Sequence, residues 1–223
     1  MRPFSPQQVA DVLRAFRGPY RLRNRALYLL LLTTGFRLSE ALSLRVHDVA
    51  NNGTPRERIT VAKAHMKGGL ASRTIAAPPE LRAAVRELVA WLQAHGFKAP
   101  LCHLFPNTRR GGPLTTCAAW RVLARAYRAA GIERGHGSHG CRKTFAVTIL
   151  RETATGDHHA DLKFVQRMLG HRSVDSTLHY LTFMQHDMEE RVVHRAAAAM
   201  LSGTPTPVTR RRRRGRPATT PKE

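Results

Sequence analysis

His139-Gly140-Cys141-Arg142-Lys143-Thr144-Phe145, followed by Leu169-Gly170-His171 and by Tyr180 nine residues after that histidine, sets an imidazole, a guanidinium, a second imidazole and a phenol in order along the chain. The chain around them has 223 residues, 42% of them apolar, enough for one good-sized domain with a core. Its 37 basic residues against 15 acidic ones leave a formal charge of +22, so the protein should seek a polyanion. An anionic membrane is the weaker option, because the longest apolar cluster, Ala26 to Leu32, falls far short of the roughly 18 residues that cross a bilayer. Double-stranded DNA or another nucleic acid is the better one. Met1-Arg2-Pro3-Phe4-Ser5 has no apolar leader, which implies a cytoplasmic protein. Cys102, Cys117 and Cys141 are widely spaced and read as reduced and mostly structural. Twelve histidines occur without H-E-x-x-H, and His158-His159 falls in a polar stretch read as a loop, so neither metal nor cofactor is expected.

Outward from that stretch, the pattern is mostly helical. Ser5-Pro6-Gln7-Gln8 joins a hydroxyl cap, a proline at the first helical position and a glutamine that completes a capping box. Asn24 to Thr34 predicts a second helix buried nearly all round, broken at Thr34-Gly35-Phe36. Ser39 to Leu44 predicts a short third helix, with Val46 to Val49 as its exit and Asn51-Asn52-Gly53 as a turn. Arg58 to Ala62 and Arg73 to Ala76 are strand candidates on either side of the glycine turn Lys67-Gly68-Gly69, and they are expected to form the only sheet. Further helices follow from Pro78-Pro79 to near Gly96, from Thr115 to Gly131 carrying Trp120, Leu123 and Tyr127, from Lys143 to Glu152, and from Gln185 to Met200. The expected fold class is mainly α with a small antiparallel β-sheet, over residues 1–202. Residues 203–223, rich in Thr, Pro, Arg and Gly, are expected to be a disordered basic tail holding +6 of the +22.

Four boxes in order resemble those of the catalytic domain of the tyrosine recombinases, the phage integrase family. Thr34-Gly35-Phe36-Arg37-Leu38-Ser39-Glu40 resembles the first box, His139 to Phe145 the H-x-x-R box, Leu169-Gly170-His171 the third, and Tyr180 the nucleophile. Leu104-Phe105-Pro106 before a polar turn matches a further landmark. The resemblance spans about residues 5–200 and implies a site-specific recombinase of integrase or invertase type, the chemistry of mobile genetic elements. It also implies a 3′-phosphotyrosyl intermediate, no requirement for metal or nucleotide, assembly as a homotetramer on paired DNA sites, and accessory DNA-binding proteins in some cases.

The chemistry accounts for the residue types. In phosphodiester attack, charge builds on the non-bridging oxygens, and Arg37 and Arg142 are suited to hold them because a guanidinium stays charged and donates in pairs. A free tyrosine titrates near pH 10, so Tyr180 needs a base or a strong positive field; His139 is the candidate base and His171 a further donor to the phosphate. Lys67 is the candidate proton donor to the leaving 5′ oxygen, with Lys63 on the same hairpin as the alternative. Glu40, one turn after Arg37, is expected to orient that arginine.

Two departures from the family stand out. Relatives of ordinary size carry an N-terminal core-binding domain of roughly a hundred residues that is expected to be lacking here, and Lys143 stands where many relatives have histidine. In the tail, Arg210, Arg211, Arg212, Arg213 and Arg214 followed by Gly215-Arg216-Pro217 resemble an AT-hook that enters a narrow minor groove; a nonspecific phosphate-binding arm is the equal alternative. A relaxing enzyme of type IB topoisomerase kind and an architectural DNA-binding protein without turnover are the rival functions.

Overall fold

The computed structural model describes residues 3–66, 72–97, 100–108, 112–132, 137–153, 158–170 and 178, with 193–194, 196–198 and 200. The turn bearing Lys67, together with His171, Tyr180 and the arginines 210–214 and 216, lies outside the described residues. The chain divides into two compact units, Met1–Leu181 and Thr182–Glu223. In the second, the described residues of the predicted helix from Gln185 to Met200 are helical.

The first unit is built on α2 (Arg21–Thr34). Its residues Ala26 to Leu31 are all buried, which requires neighbours on every side. Those neighbours are α5 (Pro79–Ala94) and α7 (Ser138–Thr153), with α3 (Leu38–Ser43) and α6 (Thr116–Ala129) completing the surround. Each fully buried leucine of α2 contributes about 1.5–3 kcal/mol, so this helix is the main anchor of the core. Helix α1 (Pro6–Ala15) starts with the predicted capping box, Ser5 and Gln8 each satisfying the other's backbone N–H, and packs on α6. Phe4 is held by Thr144 Oγ1, which accepts from its backbone N–H at 2.7 Å, and its ring contacts Tyr28 and Tyr127. The chain start is thereby fastened to α7.

Where sequence and structure differ, local geometry explains it. Val46–Val49 is not an exit but a one-turn helix, α4, whose Asp48 carboxylate accepts from the Arg45 N–H at 2.8 Å. The pair β3 (Arg58–Val61) and β4 (Arg73–Ala76) forms in the expected antiparallel register, but it is not the only sheet. Strands β1 (Ala50–Asn51) and β2 (Thr54–Pro55) make a second, two-residue hairpin around Asn52 and Gly53, both at positive φ. His158-His159 opens a helix, α8 (His158–Leu169), rather than lying in a loop. Trp120 sits on the outer side of α6 and is 53% exposed, while Leu123 and Tyr127 are buried.

The Leu104-Phe105-Pro106 landmark is held by the backbone. Leu104 N–H donates to Leu44, Leu114 N–H to Phe105, and the buried Arg23 donates to the Pro106 carbonyl at 2.9 Å.

Candidate active site

The first box follows directly from the end of α2. Gly35 caps that helix in the left-handed region, φ 61°, turning the chain so that Phe36 goes into the core and Arg37 starts α3. A β-carbon on Gly35 would lie 2.5 Å from Phe145 and 3.1 Å from Leu169, so glycine is required here for space as well as conformation. Glu40, one turn into α3, is completely buried; its Oε2 accepts from the Arg37 backbone N–H at 2.8 Å and its Oε1 from Arg37 Nη1 at 2.7 Å. Glu40 thus holds both the backbone and the side chain of Arg37, while the Arg37 side chain remains 27% exposed.

A residue not anticipated from sequence joins this pair. Arg73, the first residue of β4, is 5% exposed and donates from Nη2 to Glu40 Oε2 at 2.7 Å. Its guanidinium lies over the Phe36 ring, 4.6 Å from the centroid, and its Nη1 donates to the carbonyl of Leu169 and, at 3.4 Å, to that of Met168. Burial pulls the Arg73 guanidinium down to about 10; Glu40 opposes that effect and Arg37 reinforces it. At neutral pH it remains a cation. The sequence signal was available: β4 alternates with Arg73 and Ile75 inward and Thr74 and Ala76 outward, and an arginine on the inward face of a strand requires a partner.

The second box sits on the first turn of α7. Arg142 is 4% exposed and donates to the carbonyl of Gly35 at 2.5 Å and to that of Leu169 at 2.7 Å. His139, three residues before it on the same helix, is exposed. Lys143, beside it, is half-buried, and burial lowers its ammonium pKa. Cys141 points the other way, fully buried, against the Tyr127 hydroxyl at 3.5 Å.

These bonds close a ring. From Gly35 the backbone runs to Arg37; Arg37 binds Glu40, Glu40 binds Arg73, Arg73 binds the Leu169 carbonyl, and that carbonyl also accepts from Arg142, which returns to Gly35. Leu169 ends α8 and precedes Gly170, at φ 64°, and then His171. The ring therefore joins the first box, the strand after the Lys67 turn, the H-x-x-R box and the lead-in to the third box.

The chain is similar to known proteins over most of its length. The sequence profile of the phage integrase family matches residues 3–186. The chain belongs to the phage integrase family. It is 34% identical over 172 residues to the tyrosine recombinase XerD of Corynebacterium glutamicum, covering 77% of this chain and 52% of that protein. With XerD of Mycobacterium tuberculosis the identity is 35% over 182 residues, covering 78% and 52%. The chain spans about half the length of these relatives. Among solved structures, the XerH site-specific recombinase in its post-cleavage complex with a palindromic difH substrate superposes with a TM-score of 0.66 at 24% identity, over 90% of this chain and 53% of that one. The catalytic domain of bacteriophage HP1 integrase gives 0.54 at 20% identity, over 82% and 88%. The fold of this family member is thus that of the tyrosine recombinase catalytic domain, mainly helical with small antiparallel sheets.

Proposed function

We propose that the chain cleaves and rejoins duplex DNA at specific sites. Tyr180 Oη attacks the scissile phosphorus and forms a 3′-phosphotyrosyl bond as the bond to the 5′ oxygen breaks. The phenolic proton passes to His139, and Lys67 gives a proton to the departing 5′ oxygen, leaving a free 5′ hydroxyl. Attack by a 5′ hydroxyl from another strand reverses the step, so phosphoryl transfer is isoenergetic to first order and needs no nucleotide. Arg37, Arg142 and His171 bind the non-bridging oxygens, where charge grows in the transition state. Four protomers on two duplexes carry out exchange, and the basic tail adds phosphate or minor-groove contacts.

The observation that carries this reading is the hydrogen-bonded ring. A buried carboxylate and two backbone carbonyls fix Arg37 and Arg142 from behind, as preorganised donors require. A relaxing enzyme uses similar chemistry, but the relatives matched are named recombinases and integrases.

The test uses a library of nicked duplexes with a randomised central region, in which cleavage releases the short fragment that bears the free 5′ hydroxyl and so prevents religation. Wild type should select sequences that stay attached after denaturation, whereas Tyr180→Phe should select none. Equal recovery from the two proteins, or none from wild type, would refute the assignment.

A further inference from the structure

We infer that Arg73 is a positioning residue for strand cleavage, setting the Arg37–Glu40 pair and the turn before His171 without touching the DNA. The inference rests on the proposed function above. Three features distinguish it from a simple counter-ion to Glu40. First, Glu40 Oε2 accepts from both Arg37 N–H and Arg73 Nη2, at 2.8 and 2.7 Å. With that oxygen doubly held, the carboxylate cannot rotate, and Oε1 is presented to Arg37 Nη1 in one direction only. Second, exposure increases outward along the relay: Glu40 is fully buried, Arg73 is 5% exposed and Arg37 27%. The inner members are locked by packing and the outermost one meets solvent. Third, the other arm of Arg73 grips the Leu169 carbonyl that Arg142 also uses. One side chain therefore fixes the relative placement of two arginines that approach the site from different helices.

Charge strengthens the case. Two guanidinium groups share the single carboxylate of Glu40. Had Arg37 sole use of Glu40, the pair would be neutral; with Arg73 present, the cluster keeps an excess positive charge, available to a phosphate in the transition state. Lysine cannot replace this geometry, because a single ammonium does not span Glu40 and Leu169 while lying flat over the Phe36 ring.

The experiment measures the rate of Tyr180 adduct formation by the full chain at saturating DNA, on a duplex recovered from the nicked library. The substrates carry an ordinary scissile phosphate, a methylphosphonate, which lacks the charge on one non-bridging oxygen, or a 5′-bridging sulfur, whose thiolate leaves without a proton. Arg73→Gln should form adduct about 100-fold more slowly on phosphate, the scale expected when a catalytic group is misplaced by about 1 Å. Its affinity for DNA should stay within about threefold of wild type, since each phosphate contact retained keeps its electrostatic share. The defect should shrink at least roughly tenfold on methylphosphonate, where less charge needs stabilising, and persist on the bridging-sulfur substrate. Arg73→Lys should be intermediate in rate, and it provides the same substrate comparison if Arg73→Gln does not fold. A rate within about threefold of wild type, or an equal loss on phosphate and methylphosphonate, would overturn the inference. Absence of adduct with wild type itself would instead overturn the function on which it rests.

Discussion

Replacing Gly35 by alanine tests whether the ring is as tightly built as its geometry implies. Two separable costs arise. The residue sits at φ 61°, where a β-carbon costs about 1–2 kcal/mol. The added carbon would also stand 2.5 Å from Phe145 Cδ1 and 3.1 Å from Leu169 Cδ2, both in the buried interior, so side chains or backbone must shift, at a further cost of about 1–3 kcal/mol. Gly18 isolates the first cost: its φ is 79° and nothing lies within 4 Å of the added carbon. Urea unfolding should therefore show Gly18→Ala losing about 1 kcal/mol and Gly35→Ala about 2–5 kcal/mol, with m unchanged. Because the Gly35 carbonyl accepts from Arg142, the same shift should slow adduct formation by about 100-fold in Gly35→Ala and leave Gly18→Ala unaffected. Equal destabilisation of the two variants would refute the steric reasoning, and a normal cleavage rate in a destabilised Gly35→Ala would show that the carbonyl does not position Arg142.

Glu40→Gln keeps the shape but gives one acceptor oxygen where three donors converge; breaking this buried pairing should cost about 3–5 kcal/mol in urea unfolding and should reduce cleavage more than DNA affinity. Burial pushes the Cys141 thiol up to about 12, so at pH 8 iodoacetamide should label exposed Cys117 readily, Cys102 more slowly and Cys141 only after unfolding, as mass spectrometry can follow. The same group binds its proton more tightly when folded; its contribution is complete below pH 9 and is lost as pH rises from there toward 12, by up to about 1.4 kcal/mol per pH unit, and the pH 9–10 stability slope should flatten in Cys141→Ala. Removing residues 203–223 should reduce the slope of log affinity against log salt by about 0.9 for each phosphate contact the tail makes, and an unchanged slope would exclude the tail from DNA binding.

Much of this was legible in the chain because its signals are local. The α2 helix announces itself by an apolar run with no polar face, and the first box by a glycine that must end that helix just before an arginine and a glutamate one turn apart. The elements that escaped have weak local signals. A two-residue strand such as β1 has no alternation to detect, so Asn52-Gly53 reads as a turn alone. Helix α8 was obscured by the polar His158-His159 at its start, although Leu162, Val165 and Leu169 fall at helical spacing and are buried. Arg73 is different in kind. Its partners, Glu40 and Leu169, lie 33 and 96 residues away, and only the fold brings them to it. The inward face of β4 marked it as a residue needing a partner without saying which.

Why the interior spends arginines rather than lysines follows from the same contacts. Two cations around one buried carboxylate are an unfavourable arrangement for a resting protein, since desolvation acts on both and only one charge is neutralised. Arg73 remains protonated at neutral pH even with its pKa brought down to about 10, because it starts from 12.5. A lysine starts near 10.4, about two units below arginine, so the same burial would leave it only partly protonated near physiological pH and weaken the field. Lys143, only half-buried beside Arg142, is already lowered. The planar fork adds what a point charge cannot: Arg73 and Arg142 each reach two acceptors at once and meet on the Leu169 carbonyl, so the positive charge is fixed in place by the fold itself. The cost of holding the cations is met during folding, and under the proposed function the charge that develops on a phosphodiester under attack would find its donors already aligned.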